Sequence, residues 1–258
     1  MTAGHRASAL AVDRFPRSSN YDPAWVIENL MGPNVLWLAE FLSEVMELRP
    51  GMRVLDMGCG KAVSSIFLAK ELGVQVWATD LWIDASDNRK RVEEAGVADR
   101  VFPIHAEAHG LPLAHDFFDA AVSLDAYHYF GTDDLYLGYF SRFLKSEAQL
   151  GIVVPGLRSE IGANVPAHMS PHWTWDFCSF HSPDWWRVHW EKTGLVEVSI
   201  SDWLEDGWKL WLKWLDVCKQ AAAPDDPEVR EILRKDQGRY LGFTRVVARR
   251  LSQPLYRY

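Results

Sequence analysis

The feature that most constrains the fold is a pair of glycines that follows a short apolar run. Residues 53–57 have the pattern of a buried strand, the loop 56–60 reads DMGCG, and a helical pattern covers 63–72. A strand, a glycine loop and a helix in this order let backbone atoms approach a ligand closely at the helix start. The segment therefore predicts the first half of a βαβ unit, with a ligand site at its loop.

Strand and helix patterns continue to alternate along the chain. Further strands are predicted at 75–79, 101–105, 118–124, 149–154, 195–199 and 242–248, with Pro155-Gly156 ending the fifth. Helices are predicted at 85–95, 133–144, 185–193, 208–222 and 226–235. Such alternation predicts a Rossmann-like α/β fold, in which a mostly parallel sheet of seven strands carries helices on both faces.

We expect one domain over residues 1–258, with additions to this core. Residues 1–20 show no convincing period and predict a loosely held, flexible arm. Residues 21–48 predict N-terminal helices that Gly32-Pro33 divides. Residues 157–184 and 203–238 interrupt the strand rhythm and predict insertions that form a Trp-rich helical cap over the carboxyl edge of the sheet.

The loop chemistry favours a nucleoside over a dinucleotide. The dinucleotide fingerprint requires Gly or Ala three residues after the second glycine, and Val63 stands there. Asp56 also brings a carboxylate close to where a pyrophosphate would lie, and like charges repel. Asp80 ends the second strand at a spacing typical of a ribose ligand. Glu107, after the third strand, can accept a hydrogen bond from an adenine amino group.

Several motifs together resemble one enzyme family. VLDMGCG, the acid at the end of the second strand, HAEA followed by LPL, and FDAAVSLDAYHYF resemble class I S-adenosylmethionine-dependent methyltransferases of the small-molecule type, over roughly residues 34–155. NLMGPN, ATDLW, YHYF, VPGL and HSPDWW resemble a bacterial group similar in plan to the ubiquinone and cyclopropane-lipid methyltransferases. The resemblance implies S-adenosyl-L-methionine as cofactor and S-adenosyl-L-homocysteine as product.

The resemblance also implies which residues contact the cofactor. The methionine end is assigned to Asp56, Gly58 and Gly60, the ribose to Asp80, the adenine to Ala106 and Glu107, and the face of the adenine ring to Leu81 and Trp82. Asp125, after the fourth strand, is added to these contacts. Lys61-Ala62 replaces the common Thr-Gly or Gly, and Glu107 stands where Asp is more usual, so affinity can differ from that of the family.

Methyl transfer from a sulfonium needs proximity and orientation more than a base, because the leaving group is already activated. For an acceptor that carries a proton, His128 is the candidate base, with Tyr127 and Tyr129 as positioning or cation–π partners. The alternative is that all three are packing residues. His181, by resemblance part of a lid, has an equal claim to a catalytic role.

Tryptophan is concentrated in the second half of the chain, where nine of thirteen lie between Trp173 and Trp214. One interpretation is the packed core of a helical cap. The other is a pocket for a flat apolar or cationic substrate, because indole faces favour both. The substrate-binding candidates are Tyr21, Met31, Trp173, Trp175, Trp185 and Trp186.

The sequence gives less support to a metal site, a nucleophilic cysteine or nucleic-acid binding. His168, His172, Cys178 and His181 lie within fourteen residues but match no zinc-finger spacing, so we expect no metal. Cys59 is interpreted as a packing residue rather than a nucleophile, since no base is evident nearby. The formal charge of −8 and the lack of a basic stripe argue against nucleic acid.

We therefore predict a cytoplasmic enzyme that methylates a small aromatic or amine-bearing metabolite, as a monomer or homodimer. No apolar segment reaches the length of a membrane helix or a secretion signal. One alternative is a lipid-linked or quinone acceptor, for which a membrane contact is formed by Trp208, Trp211, Trp214 and Leu215 with Lys209 and Lys213. Another is a cofactor-binding protein without transferase activity.

Overall fold

The computed structural model describes residues 9–256, and seven strands in this range form one sheet. The strands are β1 Arg53–Met57, β2 Gln75–Asp80, β3 Val101–His105, β4 Phe118–Leu124, β5 Leu144–Leu157, β6 Val196–Trp203 and β7 Leu241–Arg250. Their order is β3-β2-β1-β4-β5-β7-β6. Only β7 runs antiparallel to its neighbours. The predicted mostly parallel, Rossmann-like sheet is confirmed.

α-Helices connect and flank these strands. They are α1 Pro23–Glu28, α2 Val35–Ser43, α3 Val63–Leu72, α4 Ala85–Glu94, α5 Tyr136–Phe140, α6 Pro183–Glu191, α7 Gly207–Gln220 and α8 Pro227–Asp236. Gly32-Pro33 separates α1 from α2, as predicted. Within residues 9–256, no helix is both long and apolar enough to span a membrane.

The sheet divides the apolar core into two layers. Neighbouring strand residues point to opposite faces, so Val54 joins one cluster and Leu55 the other. The first cluster includes Phe41 of α2, and the second includes Trp186 and Trp190 of α6. Because both faces are covered, β1 and β4 are almost fully buried and hold the loops at their carboxyl ends rigidly.

The fifth strand differs from the prediction. It continues through Pro155-Gly156 to Leu157 instead of ending at Val154. Beyond Val153, β5 pairs only with β7, so the missing N–H of Pro155 is tolerated on an open side. The helix predicted before it, over 133–144, is reduced to α5 and a single 3₁₀ turn.

Part of the predicted flexible arm is held against the fold through a few residues of 9–20, and its residues 1–8 lie outside the described range. Phe15 is fully buried. The carboxylate of Glu40 in α2 accepts hydrogen bonds from the backbone N–H groups of Arg17 (2.9 Å) and Ser18 (2.8 Å) and from the Ser18 hydroxyl (2.6 Å). The Ser18 hydroxyl also lies 3.1 Å from the backbone oxygen of Leu36 in α2. These hydrogen bonds fix Arg17 and Ser18 to α2.

The proposed membrane face of α7 is also corrected. Trp211, Trp214 and Leu215 are buried in the first core cluster. Trp211 packs on Phe243 of β7, with ring centroids 5.0 Å apart. The helical spacing of these residues therefore marks the face that α7 turns to the protein.

Candidate functional site

The carboxyl ends of three neighbouring strands open into one cavity of about 440 Å³. β1 ends at Met57, β2 at Asp80 and β4 at Leu124, and β1 lies between the other two. Open α/β sheets bind ligands at this edge, where the strand order reverses. Of the residues predicted to contact cofactor or substrate, the cavity is lined by Met31, Gly58, Gly60, Asp80, Leu81, Trp82, Ala106, Glu107, Asp125 and Tyr129.

The glycine loop forms one wall of the cavity, and its glycines are required by space and by backbone conformation. Gly58 and Gly60 have φ values of 73° and 53°, which side chains rarely adopt. A Cβ at Gly58 would overlap the Cβ of Ala126, and one at Gly60 would lie 2.9 Å from the sulfur of Met31. The absence of side chains at Gly58 and Gly60 thus leaves the loop backbone accessible to a ligand in the cavity.

Asp80 is held firmly at the end of β2. Its Oδ2 accepts a hydrogen bond from the Gly60 N–H (2.8 Å), and its Oδ1 accepts from the N–H groups of Trp82 (2.8 Å) and Ile83 (3.0 Å). The carboxylate therefore joins the glycine loop to the segment that follows β2. It also faces the cavity, where its remaining lone pair can accept a hydrogen bond from a ligand hydroxyl.

The far end of the cavity lies between the segments that follow β2 and β3. Leu81 and Trp82 stand at its mouth, and Trp82 is 70% exposed. The Glu107 carboxylate accepts hydrogen bonds from the backbone N–H and ring Nδ1 of His109, both at 2.8 Å. These bonds lower the pKa of Glu107, so it remains a charged acceptor.

Asp125 brings a carboxyl group without a cationic partner to the glycine-loop end of the cavity. Its backbone is in the left-handed region (φ 57°), which is unusual for a residue with a side chain. The carboxyl lies against Gly32, where any side chain would overlap it. Burial raises the pKa of Asp125 well above its ordinary value. A cationic ligand group would therefore be favoured at this position.

Asp56 does not line the cavity, in contrast to its predicted place at the methionine end. It is fully buried beneath the loop, where its Oδ2 accepts hydrogen bonds from the hydroxyls of Ser64 and Ser65, both at 2.6 Å. Burial raises its pKa to about 6, although both hydroxyls oppose this shift. Asp56 thus fixes the start of α3 to β1.

Only one residue of the predicted Tyr127, His128 and Tyr129 group reaches the cavity. The three form a 3₁₀ turn, in which successive side chains point about 120° apart. Tyr129 faces the cavity, and its ring lies 5.9 Å from that of Trp82. Tyr127 is buried against Trp186 and Trp190 in the second core cluster.

His128 is buried and does not line the cavity. Its ring packs against Tyr129 (4.0 Å) and Phe180 (5.5 Å). Burial lowers the pKa of His128 to about 3, so the imidazole is neutral and a poor proton acceptor at neutral pH. This position does not support the predicted role as a base, and the packing alternative describes His128 and Tyr127 better.

Of the substrate-binding candidates, Met31 alone lines the cavity, and His181 and the aromatic candidates lie outside it. His181 stacks on Trp185 (3.6 Å) and pairs with Glu160. None of the residues from 157–184 or 203–238 lines this cavity. Of the other candidates, Trp186 is fully buried, Trp175 is 85% exposed, Trp173 packs on Phe177, and the Tyr21 hydroxyl donates to Glu71.

The histidines considered as zinc ligands are not brought together. His168 pairs with Asp236 (2.9 Å) and His172 with Glu228 (2.6 Å), both on α8 or at its end, whereas His181 pairs with Glu160. In the described part of the chain, no three His, Cys, Asp or Glu side chains are grouped to hold a metal ion. The His168 and His172 pairs attach the 157–184 insertion to α8, whereas the His181–Glu160 pair lies within the insertion.

Sequence reasoning missed several lining residues, among them Asn29, Gly32, Cys59, Lys61, His109 and Phe130. Gly32 was interpreted only as a helix break, and Lys61 only as a departure from the family pattern. Their positions next to the glycine loop were the available signal for Cys59 and Lys61. Asn29 opens the NLMGPN motif, which was the available signal, but its contact with the cavity depends on how α1 folds back over the sheet.

Comparisons with known proteins agree with this geometry. Residues 54–147 match the family model described as "Methyltransferase domain". The chain is 29% identical over 132 residues to Methyltransferase GfsG of Streptomyces halstedii. The aligned segment covers 50% of this chain and 48% of that protein. The chain spans about half or less of the curated relatives it matches.

Solved structures show the same fold over most of the chain. A Haemonchus contortus phosphoethanolamine N-methyltransferase 2, solved with S-adenosyl-L-methionine, has a TM-score of 0.71 at 17% identity and covers 88% of this chain and 56% of that one. Geranyl diphosphate C-methyltransferase from Streptomyces coelicolor A3(2), solved with S-adenosyl-L-homocysteine, has a TM-score of 0.65 at 17% identity, covering 83% and 80%. At these identities, the likeness concerns the fold.

Proposed function

We propose that this chain transfers a methyl group from S-adenosylmethionine to a small molecule, because residues 54–147 match the model of a methyltransferase domain and the chain has the fold of class I methyltransferases. The observation that carries the proposal is the single cavity in which the glycine loop, Asp80 and the 106–107 segment face one another. Two of the compared structures were solved with S-adenosylmethionine or its product.

The chain offers each part of such a cofactor a suitable group. Asp80 is assigned to the ribose hydroxyls, Glu107 and Ala106 to the adenine, and Trp82 to the ring face. Asp125 is assigned to the positive end, because its carboxyl lacks a cation and faces the cavity. When bound, S-adenosylmethionine supplies a methyl group on a sulfur that leaves without protonation.

The acceptor is proposed to enter beside Tyr129, which lines the cavity and is 52% exposed, because Trp82 is assigned to the adenine. The Tyr129 ring offers a π face that suits a flat or amine-bearing molecule, and the Trp82 ring packs beside it with centroids 5.9 Å apart and planes tilted by 60°. The acceptor's lone pair forms the new bond to the methyl carbon while the carbon–sulfur bond breaks. Tyr129 and Phe130, which line the cavity, are proposed to orient this attack and to exclude water on one side. A lipid acceptor has less support, since the α7 stripe is buried.

Calorimetric titration with S-adenosylmethionine, S-adenosylhomocysteine and NAD tests the cofactor. Asp80→Ala is a poor variant for this purpose, because it also removes one hydrogen bond to the glycine loop and two to the segment that follows β2. Ala106→Phe fills the far end of the cavity instead, and Ala167→Phe, on an exposed turn, is the matched control.

We expect micromolar binding of both sulfur nucleosides by the native chain and the control, and at least tenfold weaker binding by Ala106→Phe. Preference for NAD, or no binding of any nucleoside, would overturn the proposal. Release of S-adenosylhomocysteine with a panel of primary amines, aromatic amines and fatty acyl compounds then identifies the acceptor class.

A further inference from the structure

Two cations beside the glycine loop make hydrogen bonds only to neutral groups. Lys61 directly follows the loop and lines the cavity, and its Nζ donates to the backbone oxygen of Glu28 (3.0 Å). Arg91 of α4 donates to the side-chain oxygens of Asn29 and Asn88, both at 3.0 Å. Among residues 9–256, no carboxylate forms an ion pair with either, although the chain has a net charge of −8.

The surroundings of Lys61 are unfavourable for a free ammonium group. Partial burial lowers the pKa of Lys61, and the nearby charge of Arg91 lowers it further. The charge of Glu28 acts in the opposite direction and is the weakest of the three effects. An anion bound between the two cations would relieve both the burial and the repulsion.

The same end of the cavity also carries an acid. Asp125 lies against Gly32, only a few residues along the chain from Glu28 and Asn29. Asn29 lines the cavity. Its side-chain amide donates one hydrogen bond to the backbone oxygen of Trp25, so a second N–H remains for a ligand. A cation, an amide donor and a carboxyl together match a ligand group that bears both charges, as an α-amino acid does.

We propose that Lys61 and Asn29 form an anion subsite at the glycine-loop end of the cavity, which binds a carboxylate, and that Arg91 is the positioning residue that holds Asn29. The carboxylate belongs either to the amino-acid end of the cofactor or to an anionic acceptor. The first source rests on the proposed function. If the carboxylate belongs to an anionic acceptor, Lys61 need not contact the cofactor.

Titration with S-adenosylhomocysteine and 5′-methylthioadenosine separates the carboxylate from the rest of the nucleoside, since only the first contains the amino-acid group. We expect Lys61→Met to weaken S-adenosylhomocysteine binding about tenfold or more and to change methylthioadenosine binding less than twofold. Lys61→Arg keeps the charge and restores most of the affinity. Lys70→Met, on the exposed side of α3, is the control.

Arg91→Gln tests the positioning role through the same ratio. It lowers the preference for S-adenosylhomocysteine over methylthioadenosine, but less than Lys61→Met does. A purely structural effect would weaken both nucleosides equally.

Inorganic phosphate serves as the probe for the other source. If Lys61→Met leaves both nucleosides unchanged but removes phosphate binding to the complex with S-adenosylhomocysteine, the subsite serves the acceptor. If neither nucleoside nor phosphate binding changes, the anion subsite does not exist. If the native chain binds no nucleoside, the proposed function fails, and phosphate binding to the free protein decides the subsite: loss in Lys61→Met supports it, and no difference overturns it.

Discussion

Asp125 is the residue at which backbone strain, burial and an unpaired carboxyl coincide. Its raised pKa means that the carboxyl binds a proton more tightly than in water, because no cation offsets its burial. A positively charged ligand beside it would favour the carboxylate. Binding of such a ligand therefore releases a proton, which links affinity to pH.

We predict that the affinity for S-adenosylmethionine rises with pH until Asp125 is ionised in the free protein. Asp125→Asn should bind more weakly, and its affinity should lose this pH dependence. Calorimetry between about pH 5 and pH 9, in buffers of different ionisation enthalpy, measures both the affinity and the proton released. Equal pH dependence in the two proteins would show that Asp125 does not face the ligand's positive charge.

The raised pKa of Asp56 makes the stability of the fold, rather than ligand binding, depend on pH. Its pKa is raised from 3.8 to about 6 by burial, so the folded state holds a proton that the unfolded chain has lost in this range. The free energy of unfolding therefore decreases as pH rises from about 4 to about 6, and the loss persists at higher pH.

The contribution of Asp56 is up to about 3 kcal/mol, because a change of one in pKa corresponds to about 1.36 kcal/mol. Asp56→Asn cannot titrate, so the difference between its unfolding free energy and that of the native chain should change by this amount across the range. Urea denaturation at several pH values measures it. Parallel pH curves for the two proteins would contradict the raised pKa.

At the scale of elements, the local patterns were predictable and the long-range ones were not. β1, β3, β4 and α3 have the predicted bounds, because alternating apolar runs and a glycine loop define them within a few residues. The end of β5 depends on β7, whose residues lie about ninety positions later. The inward packing of α6 likewise depends on distant parts of the chain. Of the two candidates for a substrate pocket on this helix, Trp186 therefore belongs to the second core cluster and Trp185 packs against it.

The site shows the same division. Gly58, Gly60, Asp80 and Asp125 could be placed from the ends of predicted strands, because parallel strands end at one edge. Tyr127 and His128 could not, since the direction of a side chain in a 3₁₀ turn is not evident from the sequence. Asn29 reaches the cavity only through the packing of the N-terminal segment.

That segment is fixed in part by Glu40, whose carboxylate receives the donors of Arg17 and Ser18. We predict that Glu40→Gln lowers the free energy of unfolding by about 1–3 kcal/mol, because an amide cannot accept all three bonds and its own N–H groups face donors. Urea denaturation measures the loss. Glu47→Gln, at an exposed position, is the control, and an equal effect in both variants would contradict the assigned role.

On the scale of the whole molecule, one buried hydrogen bond connects the 203–238 insertion to the cavity. Trp214 of α7 is almost fully buried, and its Nε1 donates to the backbone oxygen of Gly32 (2.8 Å). Gly32 lies against Asp125 and lines the cavity, whereas no residue of α7 does. The insertion therefore supports the wall of the site from behind, through a contact between residues 182 positions apart.

We predict that Trp214→Phe weakens S-adenosylhomocysteine binding about five- to tenfold, because the loss of one buried hydrogen bond, about 1 kcal/mol or slightly more, frees the wall next to Asp125. In the native chain, S-adenosylhomocysteine should slow amide hydrogen exchange in α7 as well as in the glycine loop, and the variant should lose only the α7 response. Trp211→Phe changes the same helix and a similar volume without a bond to Gly32, so its affinity and exchange should stay close to native. If the two variants behave alike, general packing of α7 and not the Trp214 bond supports the site.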